Sequence, residues 1–207
     1  MSFTHQFIPG DGSIRTTLLL LHGTGGNESD LVPLGQTLLP GAAILSPRGK
    51  VLEHGMPRFF RRLAEGVFDL EDLRFRAREL ADFVLESAGR YQFDVDSLTA
   101  IGYSNGANIA SAMLLLRPET LAAAVLFRAM IPFVPESKPS LKGKRVLISS
   151  GRADPIMPPE QPPELARMLE EAGAEVTLHW QNATHGLVQA DLTLAAEWLR
   201  NSTGAPA

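Results

Sequence analysis

At 207 residues, 44% hydrophobic and 20% charged, the chain has the length and balance of one ordinary globular domain. Its net charge of -4 is spread along the sequence without a basic block, which argues against a nucleic-acid partner. With no cysteine, it can form no disulfide, thiolate metal site or cysteine nucleophile.

The opening MSFTHQFIPG lacks the positive start and continuous apolar run of a signal peptide. The apolar run at 18–21 is far too short to span a bilayer, so a soluble cytoplasmic protein without membrane insertion is expected. The alternating residues 3–8 and the buried run TTLLLL at 16–21 flank the turn-rich PGDG, a spacing that predicts an edge hairpin. A glycine-rich loop, HGTGG, follows at 22–26. Residues 28–39 read as a helix with Pro33 confined to its first turn, and 42–45 as a short buried strand.

The stretch after Met56-Pro57, with Arg58, Phe59, Phe60, Arg61 and Arg62, reads as a loop. A strong amphipathic helix is predicted over 69–88, with Leu70, Leu73, Ala77, Leu80, Ala81 and Val84 recurring at helical spacing. The run 98–103 is the next strand and leads into a helix over 107–115. Strands at 123–127, 145–149 and 176–180, helices at 160–172 and 191–200, and a frayed tail over about 202–207 complete the reading. Alternating strands and helices predict an α/β fold, with a mostly parallel central sheet flanked by helices, as one domain over residues 1–207.

The chemistry centres on Gly102-Tyr103-Ser104-Asn105-Gly106, a G-x-S-x-G motif in the strand-to-helix context that a nucleophile elbow requires. A serine hydroxyl needs a base, and His185, in a polar loop between the last strand and last helix, is better placed than His5, His22, His54 or His179. Asp154, just beyond the end of a strand, is the candidate acid. The order Ser104, Asp154, His185 is that of α/β-hydrolases. Backbone N–H groups of Asn105 and Thr24 are the candidate oxyanion donors. A phosphate-loop reading of HGTGG fails, because the segment lacks the Lys-[Ser/Thr] ending.

LLLLHGTGGNESDL, SPRG, RFFRR, IGYSNGANIA, FRAMIPF, SSGRADPIMP and ATHGL together resemble the phospholipase/carboxylesterase family. Those small, lidless α/β-hydrolases include bacterial carboxylesterases and acyl-protein thioesterases. The resemblance covers nearly the whole chain, and GYSNGA with RFFRR places it nearer the bacterial carboxylesterase branch. It implies the triad Ser104, Asp154 and His185, and Thr24 and Asn105 as oxyanion donors. Members often form homodimers. Ala183-Thr184 departs from the Gly-Gly that many relatives carry before the histidine.

Phe59, Phe60 and Arg61 are candidates for a pocket wall, with a solvated turn and core phenylalanines as the competing reading. Met130, Ile131 and Met157 are candidates for an acyl pocket. The expected function is a serine carboxylesterase acting on small to medium esters through an acyl-enzyme, with neither metal nor organic cofactor implied. The same residues would serve a thioesterase or lysophospholipase, and a non-catalytic binding module is the alternative from another class. Dienelactone hydrolase activity is disfavoured, because those enzymes normally use Cys where this chain has Ser104.

Overall fold

In the computed structural model, which describes residues 3–203, the apolar runs become strands, the central ones almost wholly buried, and most of the longer segments between them become helices. The strands are β1 (His5–Ile8), β2 (Thr17–Leu21), β3 (Ala43–Pro47), β4 (Val51–Glu53), β5 (Met56–Arg58), β6 (Arg62–Ala64), β7 (Val67–Phe68), β8 (Leu98–Tyr103), β9 (Ala123–Phe127), β10 (Arg145–Gly151) and β11 (Glu175–Gln181). The helices are α1 (Val32–Leu38), α2 (Leu70–Tyr91), α3 (Asn105–Leu116), α4 (Gln161–Glu171) and α5 (Gln189–Thr203). Of the expected tail, residues 202 and 203 continue α5, and 204–207 lie outside the described residues.

Seven strands form one sheet in the order β1-β3-β2-β8-β9-β10-β11. Every pairing is parallel except that of β1 with β3. The expected hairpin between β1 and β2 is therefore corrected: β1 crosses over to pair with β3, Phe7 opposite Leu45. The reason lies in the side chains. All five residues of β2 are buried, so both its edges and faces must be covered, and β3 and β8 take the two edges. The half-buried β1 suits the margin.

Strand alternation divides the core into two layers. Leu19 and Leu21 face a cluster containing Leu73, Leu80 and Val84 of α2, Ile109 and Met113 of α3, and Leu165 and Leu169 of α4. Leu18 and Leu20 face Leu38 of α1 and Ala195, Trp198 and Leu199 of α5. Asp69 caps α2 by accepting from the Asp72 N–H at 3.1 Å. Pro33 stands in the first turn of α1, where its missing N–H leaves no intrahelical bond unmade. Among the described residues no helix is long and apolar enough to cross a membrane.

The joint between β8 and α3 is the tightest place in the fold. A Cβ on Gly106 would lie 1.9 Å from the Leu21 carbonyl oxygen, and one on Gly102 would lie 2.6 Å from the Ala107 Cα. Backbone stands on both sides, so no side-chain rotation relieves the clash. Gly106→Ala is accordingly expected to destabilise the protein by about 3 kcal/mol or more. By contrast, Gly89→Ala in α2 meets open space and should stabilise by about 0.5–1 kcal/mol. Urea midpoints at constant slope measure both, and equal midpoints would contradict this account of the joint.

The stretch after Met56-Pro57, expected as loop, falls within two short antiparallel ribbons over residues 51–68, β4–β5 and β6–β7. Strands of two or three residues carry no readable alternation, so the pattern at that length is silent.

Candidate active site

Ser104 stands where β8 turns into α3, with φ 53° and ψ -112°. This left-handed backbone is uncommon for a residue with a side chain. The surroundings fix it: the Ser104 N–H donates to the Phe127 carbonyl at 2.9 Å, and its own carbonyl accepts from the Asn108 N–H at 3.0 Å. The turn lifts the hydroxyl out of the strand and sets it at the N-terminus of a twelve-residue helix.

Asp154 and His185 come from two other strand ends. The loop after β10 is tied to the loop after β11 by Arg152 N–H to the Gln181 carbonyl (2.9 Å) and Ala153 N–H to the Ala183 carbonyl (3.1 Å). Gly151 allows their close approach, since a Cβ there would lie 2.3 Å from the Thr184 carbonyl oxygen. Asp154 Oδ2 accepts from His185 Nδ1 at 2.7 Å, and Asp154 Oδ1 accepts from the Ile156 N–H at 2.9 Å. An ionised carboxylate only accepts, so Nδ1 carries the proton and Nε2 is left to accept from the Ser104 hydroxyl at 2.9 Å. The Asp154 side chain is 1% exposed, and that of His185 is 21% exposed. The Tyr103 hydroxyl donates to the His185 carbonyl at 3.1 Å.

A second, fully buried pair holds the histidine loop. Arg128 and Asp191 have no side-chain exposure, and their guanidinium and carboxylate meet through bonds of 2.9 and 2.7 Å. The other N–H groups of Arg128 reach the carbonyls of Thr184 (3.1 Å), Ser149 (3.1 Å) and Gly186 (2.8 Å). The two carbonyls on either side of His185 are thus fixed to one rigid fork. Asp191 also accepts from the Ser149 hydroxyl at 2.6 Å and the Val188 N–H at 2.9 Å. Burial pushes the Asp191 carboxyl up, but the Arg128 and Ser149 hydrogen bonds outweigh it and hold it below its ordinary value. Arg128 itself has φ 57°, a conformation kept only because its contacts over-determine it.

Thr24 and Asn105 flank the serine, and their side chains are tied to one segment. Thr24 Oγ1 accepts from Arg58 Nη1 at 2.7 Å, and Asn105 Oδ1 accepts from the Phe59 N–H at 2.7 Å. The next amide, Gly25 N–H, donates to the Pro57 carbonyl at 2.9 Å. The backbone N–H groups of Thr24 and Asn105 themselves donate to nothing among the described residues. Beneath the loop His22 is buried; its Nδ1 donates to the Gly23 carbonyl and its Nε2 accepts from the Gly49 N–H. Burial lowers the His22 pKa, in keeping with a neutral ring in that role.

Ser104 and His185 open onto a cavity of about 310 Å³ that Thr24, Asn105, Met130 and Met157 also line. Phe59 and Phe60 do not line it: both are buried in the core, Phe59 with its ring tilted against His22 and Phe60 edge-on to Phe68. Arg61 points outward to Asp69 at 2.8 Å, and Ile131 packs against the core with its N–H on Gln161. The wall near the ribbons is made instead by Arg58, Arg62, Glu65 and Phe68. Nothing in the sequence alone singles out Arg128, Asp191 or the Tyr103 hydroxyl for these contacts. Arg128 and Asp191 are 63 residues apart, and no local spacing announces such a pair.

Chemically, the site offers a hydroxyl donating to a neutral imidazole, an acid behind that imidazole, and two unspent amides beside the hydroxyl. Among the described residues no three His, Asp or Glu side chains converge as metal ligands would.

Comparison with known proteins agrees with this arrangement of fold. The dienelactone hydrolase family model matches residues 64–197. A putative hydrolase, MhqD, of Bacillus subtilis (strain 168) is 46% identical over 191 residues, covering 92% of this chain and 96% of the relative. The crystal structure of the Bacillus cereus carboxylesterase superposes with a TM-score of 0.93 at 48% identity, over 95% of this chain and 93% of the other. A carboxylesterase from Mesorhizobium loti gives a TM-score of 0.83 at 34% identity, over 89% and 88% of the two chains. The resemblance to bacterial carboxylesterases read from the motifs is thereby borne out.

Proposed function

This chain belongs to the dienelactone hydrolase family, a family of hydrolases, and on that premise we propose that it is a serine carboxylesterase working through an acyl-enzyme. The observation that carries this reading is the continuous chain Ser104–His185–Asp154, with bonds of 2.9 and 2.7 Å, opening onto the cavity. Ser104 Oγ attacks the ester carbonyl while His185 Nε2 takes its proton, and the Thr24 and Asn105 amides stabilise the oxyanion. His185 returns the proton to the leaving alcohol. Water then attacks the acyl-serine, again through His185, releasing the acid and restoring the hydroxyl. Asp154 holds the imidazole in the required tautomer throughout. Membership does not carry dienelactone activity with it, since the chain has no cysteine to act as that nucleophile.

The cavity of about 310 Å³ is at the small end for ligand sites, which favours small to medium esters. With p-nitrophenyl esters from acetate to palmitate, kcat/KM should peak at or below about eight acyl carbons, taking that small cavity as the limit. A fluorophosphonate probe should label Ser104. A clear preference for palmitate would move the reading to a lipase or acyl-protein thioesterase, and absence of labelling would favour a binding module.

A further inference from the structure

Helix α3 reads NGANIASAMLLL, and every residue from 105 to 115 is buried. A helix so placed calls for apolar side chains, and each polar one in it needs a partner. The Ser111 hydroxyl finds its own, donating to the Ala107 carbonyl at 2.9 Å. Asn105 is engaged by the Phe59 N–H. Asn108 is only half satisfied. It is 5% exposed, borders the cavity, and accepts from the Met130 N–H through Oδ1 at 2.8 Å. A backbone N–H only donates, so this bond fixes which end of the carboxamide faces Met130. Nδ2 is turned from that N–H and has no partner among the described residues. Among the described residues, the unpartnered polar atoms sealed from solvent are Arg76 Nε, Asn105 Nδ2 and Ser150 Oγ. Asn108 Nδ2 is not one of them, so the small exposure of this side chain leaves its donor open to the cavity.

We infer that Asn108 is a specificity-determining residue whose Nδ2 donates to a neutral oxygen on the substrate, so that esters bearing an ether, keto or hydroxyl oxygen are preferred over their hydrocarbon counterparts. The inference rests on the esterase reading and narrows it. The Asn108 N–H donates to the Ser104 carbonyl at 3.0 Å, which puts the two residues one helical turn apart. Side chains so spaced stand about 5–6 Å from one another at Cβ, a distance that one small ester held at Ser104 can span. Its neighbours on the cavity do not duplicate the donor. The Tyr103 hydroxyl is spent on the His185 carbonyl, and Arg128 on Asp191 and three carbonyls. Met130 and Met157 offer apolar surface with no donor in their side chains. A hydrocarbon chain lying against Asn108 strips water from Nδ2 and returns nothing, whereas an oxygen at that point restores the bond. The carboxamide carries no charge, so the oxygen it selects need carry none.

The test replaces single methylenes by oxygen in otherwise identical esters, with the intact protein. On the acyl side, p-nitrophenyl methoxyacetate is compared with the butyrate, and p-nitrophenyl β-methoxypropionate with the valerate. On the alcohol side, methoxyethyl butyrate is compared with butyl butyrate by pH-stat. Each ratio of kcat/KM is divided by the ratio of hydroxide-catalysed rates, which removes intrinsic reactivity. In at least one pair the ether should then be favoured by about threefold to tenfold, the size of a neutral hydrogen bond. Asn108→Leu should bring that ratio below one, because the ether oxygen is then desolvated without a partner. Asn108→Asp has the shape of the parent and still accepts from the Met130 N–H, but it presents an acceptor where the donor stood. It should lower the ratio by about tenfold, and it decides the matter if the leucine variant does not fold. A residue that merely tethers Met130 would change both members of a pair alike. Ratios at or below one in every pair, or a ratio that survives Asn108→Asp, overturn the inference. Failure of the esterase reading looks different, because neither member of any pair would then turn over and Ser104 would not be labelled.

Discussion

Ser104→Ala is expected to lower kcat for p-nitrophenyl butyrate by about five orders of magnitude while the protein stays folded. The hydroxyl is the only part of the residue that bonds to His185, and the turn is held by backbone bonds to Phe127 and Asn108 that alanine keeps. What survives is the stabilisation offered by binding and by the Thr24 and Asn105 amides, which acts on attack by water alone. A companion variant separates chemistry from backbone strain. Ser104→Gly is equally inactive, but glycine adopts φ 53° without steric cost, so it should be about 1 kcal/mol more stable than Ser104→Ala. Activity within tenfold of the parent in either variant would remove Ser104 from the mechanism. Equal stability of the two would show that the turn is not strained.

The second large effect belongs to the buried pair. Arg128→Met leaves Asp191 without its counter-ion at a position with no solvent exposure, which costs about 3–5 kcal/mol. It also takes the donors from the Thr184 and Gly186 carbonyls on either side of His185, and a displacement of about 1 Å there lowers kcat by about a hundredfold. Arg128→Met combined with Asp191→Leu removes the orphaned charge, so stability should recover in part while kcat stays low. The pH dependence has a definite sign. Asp191 is held below its ordinary value in the folded protein, so its contribution is complete above the unfolded carboxyl value of about 3.9 and is lost as pH falls through the lower folded value. The stability gap between parent and Arg128→Met should thus be widest near neutral pH and narrow below about pH 4. Urea unfolding at both pH values, with kcat alongside, measures each part. A gap under about 1 kcal/mol at neutral pH, or recovery of kcat in the double variant, would refute the clamp.

Much of this architecture could be read from the chain, and the parts that could not share a cause. The strands leading to Ser104 and Asp154 are mostly apolar, buried runs and the one leading to His185 is an alternating edge strand, and the three residues fall just beyond strand ends that the parallel arrangement brings to one edge. Local pattern sufficed to bring those three side chains together on paper. It failed for β1, whose partner is decided by which neighbours the fully buried β2 has already taken. It left Phe59 and Phe60 open between pocket and core, because an aromatic side chain satisfies either. It gave no hint of Arg128 with Asp191, since a buried ion pair depends on two distant positions meeting in space.

The tie between residues 57–59 and the loop at Thr24 and Gly25 has a bearing on engineering. The ribbons look like an ideal place to redesign selectivity, because they stand outside the central sheet and form one wall of the cavity. Yet the same few residues hold both amides proposed to receive the oxyanion. A library built on this segment would therefore sample turnover together with affinity, and variants chosen for a new substrate would tend to be slow ones. Mutations at Met130 or Met157, which reach the cavity from the loops after β9 and β10, allow selectivity to be tuned with the oxyanion loop left in place.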